Sequence, residues 1–326
     1  MTSDVAASAV PAQPRSPGPG GPDGIRTAGV VRSFGAVRAL DGVDLHARAG
    51  RVTALVGPNG SGKTTLLLVL AGLLAPDAGT VSIDGYDPVT DGPAARARTG
   101  WMPDTFGTWD SLTAREVLRT FAAAYRLPAA SVGARVDELL ALVHLSEYAD
   151  RPAAVLSRGQ KQRLGLARAL VHDPAVLLLD EPASGLDPRS RVDLRELLRR
   201  LADDGRTVLV SSHVLSELEE MADDAVFLSR GRTVLTGDTD ATLGTAGSRR
   251  PWRVRALDAE ALQGWLTSVH AAWRPDDDGV LIDVDGDEGA ARLVRDAVAA
   301  GVPLVSIAPA GGVLEQAYLA LDEERR

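Results

Sequence analysis

The chain has 326 residues, 24% charged and 45% hydrophobic, which excludes a wholly disordered or fibrous polymer and leaves room for two or three domains. Its 35 basic residues against 44 acidic ones give a net charge of −9, without the basic surplus of a nucleic-acid binder, so no nucleic-acid partner is expected. Cysteine is absent, which excludes disulfides, zinc–thiolate sites and thiol nucleophiles and fits a cytoplasmic address.

Residues 1–24 are rich in Pro, Gly, Ala and Ser and read as a disordered tail without a secretory signal. Alternation predicts short antiparallel strands over Gly29–Phe34 and Val43–Ala47. Arg51–Val56 reads as a buried strand, followed by a Gly-rich turn and an apolar helix from Gly62 to Leu74. Thr80–Asp84 is a further strand, closed by Asp84-Gly85. Ala94 to Val171 is expected to be mostly helical, with a loop over Trp101–Thr113. Ala175–Leu179 and Thr207–Ser211 are short apolar strands separated by the helix Arg189–Asp203. Strands alternating with helices imply an α/β fold with a mostly parallel sheet covered on both faces. Val226–Arg230 and Thr233–Thr236 flank Gly231 as a hairpin. No apolar run reaches the roughly 18 residues a membrane helix needs. Gly244–Arg250 reads as a linker, so one domain is expected over 25–243 and an accessory α+β domain, of ferredoxin-like type, over 250–326. In the latter, strands at Trp252–Ala256, Val280–Val284 and Pro303–Ile307 alternate with helices at Ala259–Ser268, Gly289–Ala300 and Val313–Asp322. Trp252, Trp265 and Trp273 are expected in its core or at a subunit contact.

Gly57-Pro58-Asn59-Gly60-Ser61-Gly62-Lys63-Thr64 fits G-x-x-x-x-G-K-[ST] and lies between a strand and a helix, the context a phosphate loop requires. Its glycines let backbone N–H groups close around phosphate oxygens, and the helix N-terminus adds its dipole. Lys63 brings a point charge to the same oxygens, the Thr64 hydroxyl is placed to ligate Mg²⁺, and Thr65 follows at the phosphate-binding turn. Lysine stands only at Lys63 and Lys161, and every other fixed cation is Arg. In a chain otherwise supplied with Arg, a lysine in this slot is informative, because Arg does not replace a compact ammonium where one is needed. Val176 to Asp180 is a buried strand ending in Asp180-Glu181. A carboxylate at that end suits Mg²⁺ coordination by Asp180, and Glu181 is then the candidate general base. Apolar-then-acidic strand ends are common, so this reading depends on the phosphate loop.

Five further features come in a recognisable order. Leu156-Ser157-Arg158-Gly159-Gln160 resembles the signature of ATP-binding cassette ATPases, Ser184-Gly185-Leu186-Asp187 their D-loop, His213 their switch histidine, and Phe34 the aromatic that stacks on adenine. Asp104 occupies the slot in which the family usually carries its Q-loop glutamine. The resemblance covers residues 25 to about 237. It implies a P-loop NTPase core with an antiparallel β subdomain, a helical subdomain over about 94–171, ATP and Mg²⁺ as ligands, and a head-to-tail dimer with each ATP between the phosphate loop of one cassette and the signature of the other. Ser157, Gly159, Gln160 and Asp187 would then meet nucleotide across that interface, while Asp104 would serve metal and water. The resemblance also implies a separately encoded integral-membrane permease and a place at the cytoplasmic face of the membrane. A homodimer would hold two working sites, because the motifs of both sides occur in one chain, and pairing with a different cassette stays open. The tail from residue 250, with Leu314-Glu315-Gln316-Ala317-Tyr318-Leu319, resembles the extension of ATPases that serve bacterial drug and polysaccharide exporters. A soluble ATPase of the same family, without a membrane partner, is the alternative. Arg158 departs from the usual Gly, and two readings stand open: added charge near the partner's nucleotide, or a solvent-facing side chain.

Overall fold

The structure, a computed structural model, describes residues 24–105, 107, 111–212, 214–238, 249–276 and 279–310. Strand β1 (Ile25–Phe34) pairs antiparallel with β2 (Val37–Ala47) and with β4 (Ala78–Ile83), forming a three-stranded sheet. Both strands of this hairpin run longer than their alternation predicts, because register shifts near Gly29 and Gly42 carry pairing through stretches where the period-2 pattern breaks. Between β2 and β4 in the chain lie β3 (Val52–Val56) and helix α1 (Lys63–Leu70).

Helix α2 (Gly92–Arg98) and β5 (Thr99–Met102) follow, then α3 (Ala114–Ala124), α4 (Ala129–Leu142) and α5 (Arg158–Leu170). The strand β5 corrects the expectation of helix and loop there. Its four residues carry no readable period, and the strand exists because its backbone pairs in parallel with β6 (Val176–Asp180). Helix α6 (Pro188–Asp203), β7 (Thr207–Ser211), α7 (Leu215–Glu219), β8 (Asp224–Ser229) and β9 (Arg232–Asp238) complete the unit. The second sheet has the order β5-β6-β7-β3-β8-β9, parallel throughout except for the β8–β9 hairpin.

Both faces of this sheet are covered, which explains why its strands read as unbroken apolar runs. Leu177 and Leu179 of β6 face a core built with α3 to α6, whereas Val176 and Leu178 face α1 and the three-stranded sheet. Each of these side chains is at most 1% exposed, so Leu177→Ala or Leu178→Ala should cost about 2–5 kcal/mol.

Helix α5 packs closely against β5. His172, two residues past α5, meets the Thr99 carbonyl through Nε2 at 3.1 Å and stacks on Tyr125 with ring centroids 3.6 Å apart. A Cβ on Gly100 would lie 2.3 Å from the Ala169 carbonyl, so only glycine permits this approach. Burial pushes the His172 pKa down to about 4, with the Thr99 contact opposing the shift. The unfolded chain therefore takes up this proton below about pH 6.5, whereas the folded chain takes it up only near pH 4. Stability should fall as pH drops through that window, by about 1–2 kcal/mol at pH 5 after allowance for partial exposure. Urea unfolding of the wild type and His172→Phe at pH 7.5 and 5.0 tests this: the wild type should lose more stability than the variant over that interval.

The C-terminal unit is a four-stranded antiparallel sheet of β10 (Arg249–Ala256), β11 (Trp273–Asp276), β12 (Gly279–Asp285) and β13 (Leu304–Pro309), in the order β11-β12-β10-β13. Helices α8 (Ala259–Ser268) and α9 (Gly286–Ala299) make the chain order βαββαβ, the ferredoxin-like arrangement. Trp252, Leu262, Leu266 and Ile282 build its core, with Trp265 and Trp273 packed against it. The expected N-terminal tail up to residue 23, the linker residues 244–248 and the helix over residues 313–322 lie outside the described residues.

Candidate functional site

The phosphate loop runs from the end of β3 into α1. Gly60 and Gly62 hold φ of 79° and 107°, in the left-handed region where a side chain is strained. The loop is also tightly enclosed: a Cβ on Gly57 would lie 2.4 Å from the Leu228 carbonyl, and one on Gly62 would lie 2.6 Å from that of Ala39. Ser61 N donates to the Pro58 carbonyl at 3.1 Å, and the Ser61 carbonyl accepts from Gly231 N at 2.9 Å. Lys63 is buried, and its Nζ donates to the carbonyls of Gly57 at 2.7 Å and Pro58 at 3.3 Å. Burial lowers its pKa, while Glu181 and Asp180 act in the opposite sense.

The Thr64 hydroxyl, at the first turn of α1, donates to Asp180 Oδ2 at 2.9 Å. Asp180 is 3% exposed at the end of β6, and its other oxygen accepts from Ser211 Oγ at 2.5 Å. Asp180 and Ser211 are register partners across β6 and β7, so the parallel pairing aims the serine at the carboxylate. Glu181 follows with φ of 51°. Its N–H donates to the Ser211 carbonyl and Oγ, both at 3.2 Å, and its carbonyl accepts from Gln162 Nε2 at 2.8 Å. Ser211 and Gln162 are positioning residues that the motif reading missed. The available signals were a hydroxyl ending the apolar strand Thr207–Ser211 and a polar side chain on the apolar face of α5, where Gln162 is 5% exposed.

A cleft of about 670 Å³ collects Asn59, Gly60, Gly62, Lys63, Thr64, Thr65, Asp104, Asp180 and Glu181. Val37, Arg38, Ala39, Arg158, Ser184 and Arg230 complete its lining. Asp104 is exposed at the rim. Phe34 stands at the tip of the first hairpin, opposite Val37, half exposed and with the Arg32 guanidinium 5.0 Å from its ring centroid.

The signature residues start α5. Ser157 Oγ accepts from Gln160 N at 3.2 Å while Gln160 Oε1 accepts from Ser157 N at 2.9 Å, a reciprocal cap. This leaves the N–H groups of Arg158 and Gly159 at the helix start outside the cap pair. Gly159 packs close to the D-loop: a Cβ there would lie 3.3 Å from the Gly185 carbonyl. Asp187 caps α6, accepting from Ser190 N at 3.1 Å and Ser190 Oγ at 2.6 Å, and these bonds lower its pKa. His213 lies outside the described residues.

A strand–phosphate loop–helix, faced by a strand-end carboxylate bonded to the loop threonine, defines a P-loop nucleoside-triphosphatase. The family model described as ABC transporter matches residues 40–184. The chain is 37% identical over 225 residues to the Nod factor export ATP-binding protein I of Ralstonia nicotianae, which spans 69% of this chain and 70% of that one. It is also 37% identical over 226 residues to the daunorubicin resistance ATP-binding protein DrrA3 of Streptomyces coeruleorubidus, spanning 69% and 72%. A solved structure of the ATP-binding subunit of an ABC transporter superposes with a TM-score of 0.62 at 30% identity, covering 67% of this chain and 90% of that one. A dimeric post-hydrolysis ATP-binding cassette bound to ADP and Pi superposes with a TM-score of 0.60 at 28% identity, covering 66% and 98%. The chain belongs to the ABC transporter family, as an ATP-binding cassette ATPase.

Proposed function

We propose that this chain is the ATP-hydrolysing subunit of an export-type transporter, pairing head to tail with a second cassette and driving a separately encoded membrane-spanning subunit from the cytoplasmic face. The observation that carries the hydrolytic reading is the Thr64–Asp180 contact at 2.9 Å with Lys63 and Glu181 in the same cleft. The export reading draws on the two relatives, one named for Nod factor export and the other for daunorubicin resistance. Among the described residues no helix is long and apolar enough to cross a membrane.

The residues present fit Mg²⁺. Thr64 and Asp180 offer two hard oxygens side by side, and no described cluster of three or more His, Asp or Glu offers an all-protein cage. Mg²⁺ is commonly held this way, by one or two protein oxygens together with waters and substrate phosphates. Bound there, it would neutralise charge on the phosphates. Lys63 and the loop N–H groups hold the phosphate oxygens, Asp180, itself bonded by Ser211, fixes the Thr64 hydroxyl, and Glu181 takes the proton of the attacking water. Phe34 stacks on adenine, while across the pair Ser157, Gly159 and Gln160 at the start of α5 face the other subunit's nucleotide, with Asp187 beside them.

Isolating the tagged full-length chain from its membranes tests the assignment: a polytopic membrane protein should accompany it and stimulate its ATPase activity. Recovery of an active ATPase without any such partner would favour the soluble alternative.

Asp104 gives a second test. Two unit charges some 6 Å apart repel by about 3 kcal/mol at an effective dielectric near 20, so a carboxylate in the glutamine slot opposes γ-phosphate unless cation or partner compensates it. Asp104→Asn should therefore change partner-stimulated turnover more than basal turnover. An unchanged stimulation ratio would make Asp104 a loop carboxylate without a role.

A further inference from the structure

Arg158 is exposed, and it also makes a contact within its own chain. It is the first residue of α5, and its Nη2 donates to Ser184 Oγ at 2.7 Å within the same chain. Its stem crosses Gly185, where a Cβ would lie 2.7 Å from Arg158 Cδ and 2.8 Å from its Nε. Gly185 has φ of 75°, so the D-loop turn both needs glycine for its backbone and uses the bare Cα as the bed for the arginine. Ser184 N in turn donates to the Glu181 carbonyl at 3.1 Å, the same carbonyl that accepts from Gln162. Arg158 and Ser184 both line the phosphate-loop cleft.

We propose that Arg158 is a positioning residue, a strut within one subunit that ties the signature turn to the D-loop and so couples the two nucleotide sites of the dimer. This rests on the head-to-tail reading given above. In that arrangement the start of α5 serves the partner's nucleotide, whereas Glu181 serves the subunit's own. The contacts Arg158–Ser184–Glu181 connect the two. A glycine at residue 158 has no side chain with which to make this link, and the planar guanidinium holds direction in a way a flexible ammonium does not. Closure of the signature on the partner's ATP then sets the position of Glu181 in its own site, which makes hydrolysis depend on occupancy of both sites.

The test is the ATP dependence of hydrolysis by the purified full-length chain, measured for wild type, Arg158→Ala, Ser184→Ala and the double variant. The wild type should show a Hill coefficient above about 1.5, within the limit of two sites. Either single variant should bring it to about 1, and the double variant should go no further, because both remove one link. Arg158→Lys should restore little of the cooperativity. A loss of kcat with the Hill coefficient unchanged, a wild-type coefficient of 1, or additive effects of the two substitutions would each overturn the strut. Should Arg158→Ala fail to fold, Ser184→Ala alone decides the matter. Size-exclusion chromatography with ATP in a Glu181→Gln background separates the two ideas. If Glu181→Gln dimerises with ATP while the Hill coefficients do not respond, the strut fails and the pairing stands. If ATP produces no dimer, the pairing fails and takes the strut with it.

Discussion

Glu181→Gln should lower ATP turnover roughly 10²–10⁴-fold while leaving nucleotide binding intact, the range expected when a positioned proton acceptor is removed. The structure gives a reason to expect a clean separation of the two effects. The backbone of residue 181 is held by the Ser211 carbonyl and hydroxyl at its N–H and by Gln162 at its carbonyl, none of which involves the carboxylate. The amide side chain should therefore occupy the same place without the ability to take a proton. Lys63, Thr64 and the loop N–H groups are untouched, so ATP still binds, and the ATP-bound pair should accumulate on size-exclusion chromatography. Steady-state hydrolysis at saturating ATP, with nucleotide affinity measured in parallel, checks the prediction. A rate close to that of wild type would remove Glu181 from the role of base.

What the amino-acid sequence reveals here, and what it hides, divides along the range of the interaction. The phosphate loop is legible because a run of eight residues, Gly57 to Thr64, carries its whole chemistry locally. The strand Val176–Asp180 and the helix Pro188–Asp203 are legible from burial and period alone. By contrast β5 owes its existence to pairing with β6 some 75 residues later in the chain, and nothing in Thr99–Met102 announces this. Ser211 and Gln162 act through register and helix packing, so their partners Asp180 and Glu181 appear only once the sheet is assembled. Arg158 marks the boundary case. Its departure from the usual glycine was visible, but the contact that gives it meaning spans 26 residues to Ser184. Asp187 and Gln160 show the reverse: both sit in motif positions, and both also have a local duty as helix-capping side chains that the motif alone does not reveal.

Lys63→Arg conserves charge in a chain that uses Arg almost everywhere, and it should still abolish most activity, by about 10²-fold or more in kcat/KM. Lys63 is 8% exposed, and its ammonium already lies 2.7 Å and 3.3 Å from two loop carbonyls. The loop cannot widen to admit a planar guanidinium, since Gly57 and Gly62 are packed against the carbonyls of Leu228 and Ala39. The ammonium must also move from the loop carbonyls to phosphate oxygens when nucleotide arrives, a short swing for a compact head on a flexible stem. A guanidinium makes its bonds through a fixed fork and would stay anchored on the carbonyls or protrude into the phosphate site. Burial weakens the charged form of Lys63, and the charges of Glu181 and Asp180 oppose that effect. Lys161 provides the control. It lies on α5 just past the reciprocal cap, partly exposed, and Lys161→Arg should leave kcat/KM within about twofold, as expected of a surface substitution away from the site. The two substitutions are compared by steady-state ATPase kinetics and by direct nucleotide binding. Equal tolerance at both positions would show that the scarcity of lysine carries no chemical meaning, and that the phosphate loop accepts any cation of sufficient reach.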